Sequence, residues 1–163
     1  MALKQTLQKV TTDDILFRAK NAAAAGTLMT YVVDGTGDGY VQKVSGSPVA
    51  DLDKVAGVLL INVEDRAIPS NLTLIGDDTG TVDLPRNFNR NVTYTSGVVR
   101  LLRIGTCETD QVDATAEFGQ GSGVYLGANG LFTVASGTGA TERVGTALTG
   151  KRDGFVRVFV NIN

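Results

Sequence analysis

The sequence predicts a mainly β protein: a small β-barrel or β-sandwich with an N-terminal arm and little helix. Three observations carry this. Glycine occurs 20 times in 163 residues, Thr and Val are frequent, and turn residues recur roughly every 8–12 positions, the spacing of short strands in sandwiches and barrels. The closing run "GFVRVFVNI" alternates strictly, with Val156, Val158, Val160 and Ile162 on one face and Phe155, Arg157, Phe159 and Asn161 on the other, which is the period of a strand with one face in a core.

Residues 1–25 form the arm. "TTDDILFRAKNAAAA" begins with Thr-Asp capping chemistry and continues with good helix formers, so it reads either as one short helix or as an extended arm followed by an alanine-rich turn. From residue 26 to 163 the chain reads as one β-rich domain. Candidate strands are 28–33, 39–44, 55–63, 71–75, 91–96, 98–104, 123–127, 130–135 and 154–162, each rich in β-branched or aromatic residues and bounded by Gly, Asp or Asn.

Two stretches echo one another, 27–63 and 122–163. Tyr31, a Gly-rich turn, "YVQKVSG", a loop and "VAGVLL" are followed later by Tyr125, "GANG", "LFTVASG", a loop and "VGTAL". Either two similar β units share one core, with residues 64–97 inserted between them, or a chain rich in Gly, Val and Thr resembles itself by chance. The insertion holds "EDRAIPSN" and "LPRNFNRN", polar segments that belong at a surface.

Composition narrows the function. Hydrophobic residues are 42% and charged residues 20%, and no apolar run approaches the roughly 20 residues of a membrane-spanning helix. A net charge of -2 offers no basic field to hold nucleic acid. The N-terminal residues lack the apolar run and cleavage site of a secretory signal, so the chain is expected to be made and kept inside a cell.

Catalytic chemistry finds little to work with. There is no histidine, which removes the commonest general base and the commonest transition-metal ligand. Asp13-Asp14 and Asp77-Asp78 are adjacent pairs, but neighbours on a strand face opposite ways and share no proton. "DGTGDG" at 34–39 places Asp34, Thr36 and Asp38 as in a calcium loop, yet its twelfth position is Ser45 where the motif needs Glu. It reads as a β-turn. The glycine clusters "GQGSG" and "SGTGATERVG" lack the phosphate-loop ending. Asn71 and Asn91 fit the glycosylation sequon but read as polar strand-edge residues. Arg86 and Arg90 flank Phe88 in "RNFNRN", a composition suited to a protein contact. Cys107 is the single cysteine, so no intramolecular disulfide forms; it is either a half-buried thiol or the one place for a covalent link to another subunit. No catalytic, cofactor-binding or metal-binding residue is assigned, and no cofactor is expected.

The C-terminal stretch "GSGVYLGANGLFTVASGTGATERVGTALTGKRDGFVRVFVNIN" resembles the C-terminal region of tailed-bacteriophage capsid decoration proteins, also called cement or head-stabilising proteins. The matching elements are Val124-Tyr125-Leu126, the turn Gly127 to Gly130, Leu131 to Val134, Arg143 to Leu148, and Asp153 to Ile162. "TVDLPRNFNRNVTYTSGVVRLLRIG" is similar to the middle of myophage members. The resemblance implies a structural virion protein, not an enzyme, made in the host bacterial cytoplasm and bound to the capsid's outer surface. Its expected partners are the major capsid protein, whose subunits it would bridge, and itself as a homo-oligomer, a trimer being the commonest arrangement; neither nucleic acid nor membrane is expected. The alternatives are another phage structural β-domain, such as a head fibre base, tail or baseplate component, and a carbohydrate-binding β-sandwich, which the absence of Trp disfavours.

Overall fold

The computed structural model describes residues 3–4, 17–32, 39–49, 52–65, 92–134 and 142–162. Within them the protein is mainly β, and its only helical element is the 3-10 turn Ala128–Gly130. The strands are β1 (Leu3–Lys4), β2 (Phe17–Ala19), β3 (Leu28–Tyr31), β4 (Tyr40–Lys43), β5 (Val55–Leu59), β6 (Asn62–Glu64), β7 (Val92–Tyr94), β8 (Val98–Val99), β9 (Leu101–Leu102), β10 (Ile104–Thr109), β11 (Gly123–Leu126), β12 (Phe132–Val134), β13 (Arg143–Ala147) and β14 (Val156–Asn161). The candidate strand 71–75 lies outside the described residues.

One six-stranded sheet has the order β8-β2-β4-β3-β5-β9. Its edge strands β8 and β9 are separated by Arg100 alone, so one run of chain pairs with β2 on one side and β5 on the other. The sheet thereby closes into a small barrel, and closure removes the unpaired edges that short strands expose. The second six-stranded sheet has the order β1-β10-β14-β13-β11-β12. Just beyond β10 the chain turns back onto β12: Phe132 N–H donates to Gln111 O at 2.9 Å and Asp113 N–H donates to Phe132 O at 2.8 Å, a parallel bridge between Val112 and Phe132. This single bridge brings the second sheet nearly to a closed barrel, less fully than the first.

The two barrels share one connectivity. In each, the first strand lies parallel to the third and antiparallel to the last, and the second strand sits between the third and the fourth. The first barrel runs from β2 to β9 and the second from β10 to β14. The parallel ribbon of β6 and β7 is inserted between the fourth and fifth strands of the first barrel. Units of equal connectivity therefore span 17–102 and 104–161, longer than the echoing stretches 27–63 and 122–163, and the insertion falls inside the first unit.

Register fixes the correspondence residue by residue. Tyr31 pairs with Val41 as Leu126 pairs with Phe132, and Met29 pairs with Gly57 as Val124 pairs with Gly145. Both central strands carry an irregularity one residue later, at Met29/Thr30 and at Val124/Tyr125. Tyr31 thus corresponds to Leu126, not to Tyr125. Gly57 and Gly145 are equivalent for a physical reason: a Cβ at Gly57 would lie 2.7 Å from Leu101 Cβ, and one at Gly145 would overlap the Phe159 carbonyl, so the last strand approaches too closely for any side chain.

Burial follows the barrels. Phe17, Ala19, Met29, Val41, Leu59, Val99 and Leu101 fill the first interior, with Phe17 and Tyr31 in edge contact at 5.7 Å between ring centroids. Cys107, Val124, Leu126, Phe132, Val144, Ala147, Val156, Val158 and Val160 fill the second. The alternation predicted for the last strand holds: Val156, Val158, Val160 and Ile162 are buried, while Arg157, Phe159 and Asn161 are exposed.

Over its described part, residues 17–25, the alanine-rich segment is not helical and belongs to the first barrel. Phe17 and Ala19 point into the first barrel and Arg18 points out. Ala23 then bridges Val63, Ala25 N–H donates to Asn62 Oδ1 at 2.8 Å, and a turn at Ala24–Thr27 leads into β3. Interior burial of Phe17 together with backbone pairing on both sides outweighs the alanines' helix propensity. Upstream, β1 pairs antiparallel with β10.

Candidate interaction surfaces

The barrels meet top to side. The upper end of the second barrel, built from Thr109 to Val112, the turn at 127–131 and Glu142, packs against the outer face of the first. That outer face contributes Leu28, Val55, Val58 and Leu102 to the core cluster of the second barrel, a burial worth about 1.5–3 kcal/mol per side chain. Polar contacts fix the register. Val55 N–H donates to Glu142 Oε2 at 3.0 Å, Gly46 N–H to Asn129 Oδ1 at 3.0 Å, and Thr109 Oγ1 to Gly26 O at 3.3 Å. Asn129 N–H donates back to Gly46 O at 2.8 Å. Gly130, at φ +73°, lies so near that a Cβ there would stand 2.6 Å from Thr27 Cγ2 and 2.7 Å from Leu28 O. The pair is a stiff body.

Among the described residues, besides Val98 and Leu148, two pairs of large apolar side chains are exposed on it. The loop between β4 and β5 presents Val49 and Leu52, 53% and 55% exposed. The loop is held tightly there: Val49 N–H donates to Asp53 Oδ2 at 2.6 Å, while Leu52 and Asp53 N–H donate to Val49 O at 3.0 and 2.8 Å. On the second barrel, Ile104 and Phe159, 43% and 41% exposed, are diagonal neighbours on the outer face of β10 and β14. Thr146 flanks Phe159, and one strand step away Arg157 Nη2 pairs with Glu108 Oε2 at 3.4 Å. Large apolar side chains left in water on rigid backbone are what a contact surface offers.

The sequence-derived candidates fall as follows. Cys107 lies in mid-strand on β10 with its side chain in the second barrel, and burial pushes its thiol up to about 12. A folded subunit cannot present that sulfur to another. Gly39 has φ +83° and open space around it, consistent with a turn before β4, and Ser45 is exposed; residues 34–38 lie outside the described residues. So do Asp13-Asp14, Asn71, Asp77-Asp78, and Arg86 through Asn91. Among the described residues no group of three or more His, Cys, Asp or Glu is placed to hold a metal.

One carboxylate escaped the sequence reading. Asp113 Oδ1 accepts from Thr115 N–H at 2.9 Å and from Thr115 Oγ1 at 2.8 Å, and Oδ2 accepts from Thr133 Oγ1 at 3.4 Å. The Thr115 backbone donor, then its hydroxyl, hold the carboxyl below its ordinary range, with Thr133 and the nearby Lys151 charge adding to this. Its work is to fix the turn after the barrel-closing bridge. The D-x-T spacing at 113–115 is the signal that would have found it.

No protein-family model matches the chain, and no curated protein matches it.

Proposed function

We propose that this protein is a structural component of a tailed-phage virion that binds the outside of the assembled icosahedral capsid and stabilises it by bridging major capsid subunits. The observation that supports it best is a body of two equivalent barrels whose halves are locked together by the contacts of Gly130, Asn129 and Glu142. A stiff body with spaced contacts turns several weak attachments to different subunits into one tight one through effective concentration. Repetition as a homo-oligomer, with a trimer the expected form, multiplies those attachments, and no reaction is required of it. The segment resembling decoration proteins covers β11 to β14, the last four of the second barrel's five strands.

The functional test is capsid stability. Adding the purified protein to undecorated, expanded capsids of its phage is expected to raise the temperature at which packaged DNA is released. An unchanged release temperature at saturating protein would refute the bridging role and favour a tail, baseplate or fibre-base component.

A further inference from the structure

We infer that the outer face of the second barrel around Phe159 is the seat for the first barrel of a second copy of this chain, so that copies associate head to tail by repeating between chains the contact already made within one. The argument rests on the equivalence of the barrels. The face of the first barrel that is covered within the chain consists of Leu28, Thr30, Val55, Val58 and Leu102, all buried. Register maps these onto Gly123, Tyr125, Arg143, Thr146 and Phe159 of the second barrel. There the same face is open: Arg143 and Phe159 are exposed and Tyr125 and Thr146 are half-exposed. Where the first barrel has Leu28, the second has Gly123 with the hydroxyl edge of the Tyr125 ring lying over it, Cε2 and OH each 3.1 Å from where a Cβ would be.

The described part of the complementary element is exposed at Gly39, Val49, Leu52 and Lys54. Within the chain, the side of the first barrel receives the upper end of the second, including Glu142 at the entry to β13. The equivalent entry in the first barrel is Lys54, before β5, an ammonium that cannot accept as Glu142 does, so the counterpart keeps the packing without that bond; the loop leading to it carries the exposed Val49 and Leu52. Among the described residues, exposed Phe159 lies on the mapped face with Ile104 diagonal to it on the neighbouring strand, and exposed Val49 and Leu52 lie on the loop that leads to the equivalent barrel end. A contact between two different surfaces is heterologous, so it propagates from copy to copy and ends only by closing into a ring. This gives a surface to the self-association expected above and depends on no capsid.

The experiment uses Leu52→Asp and Phe159→Asp, both at exposed positions outside the barrel interiors, with thermal unfolding to confirm that each variant folds as the parent does. Sedimentation velocity over a concentration series is expected to show the parent protein as an oligomer and each variant alone as a monomer. Mixed in equal amounts, the variants should form a heterodimer and nothing larger, because each supplies the surface that the other lacks. A monomeric parent, an oligomer that survives either substitution, or a mixture that stays monomeric would overturn the inference. Self-association and capsid binding are read in separate assays, so either fails without the other.

Discussion

Gly130 and Leu28 touch across the two barrels: a Cβ on Gly130 would lie 2.7 Å from the Leu28 carbonyl oxygen, and the glycine holds φ +73°. Both facts forbid a side chain there. Gly130→Ala combines a left-handed backbone with an overpacked interface and is expected to lower stability by about 2–4 kcal/mol, measured by chemical denaturation. A loss under about 0.5 kcal/mol would mean that the barrels are not in contact at this turn.

Glu142 ties its carboxylate to the backbone of the other barrel through Val55 N–H. Glu142→Ala leaves that buried donor unpaired and should cost about 1–3 kcal/mol, whereas Glu142→Gln keeps an acceptor oxygen in place and should cost less. Equal losses for the two variants would show that the bond contributes nothing.

Asn21 grips β4 from the chain beyond β2. Its Nδ2 donates to Lys43 O at 3.1 Å and its Oδ1 accepts from Lys43 N–H at 2.8 Å, continuing with a side chain the parallel pairing of β2 and β4 where the backbone departs. Asn21→Asp loses the donor and should cost about 1 kcal/mol, and Asn21→Ala, which loses both bonds, about twice that. Hydrogen exchange at the Lys43 amide should accelerate in Asn21→Ala; unchanged protection there would contradict the assignment.

Cys107 should resist thiol reagents in the native state and react only on unfolding, and non-reducing gels should show no disulfide-linked dimer. Its thiol is pushed up from 9.0 to about 12. A raised folded value means that the stabilising difference is fully present below pH 9 and is lost as pH rises from 9 toward 12, where the unfolded thiol ionises first. The loss should reach about 1 kcal/mol near pH 10. A Cys107→Ala protein should lack this component of the alkaline decline; an identical pH profile would place the thiol in water.

The sequence exposed its strands better than their closure. The last strand was legible because four aliphatic side chains alternate without interruption from Val156 to Ile162. Strand β10 was not, because its inward positions are Gly105, Cys107 and Thr109, small residues that carry no hydrophobic signal. Strand β2 was masked by the alanines that follow it, whose helix propensity is a local quantity while the strand is held by distant partners. The echo between the two ends pointed at the right elements but aligned Tyr31 with Tyr125, one residue from their structural relation. In a structure of period two, that slip exchanges inside for outside. Barrel closure left no local trace at all, since it depends on where Val98 to Leu102 and Gln111 to Asp113 arrive in space. The interaction surfaces were illegible for the same reason: Phe159 looked like the wetter face of a strand, and only the buried equivalent at Leu102 gives its exposure meaning.

The capsid-binding claim is tested most directly by co-sedimentation of the purified protein with undecorated, expanded capsids of its phage. Saturable binding, at a stoichiometry that is a multiple of three per lattice unit, is the predicted result. Absence of binding at protein concentrations where the oligomer is intact would contradict it.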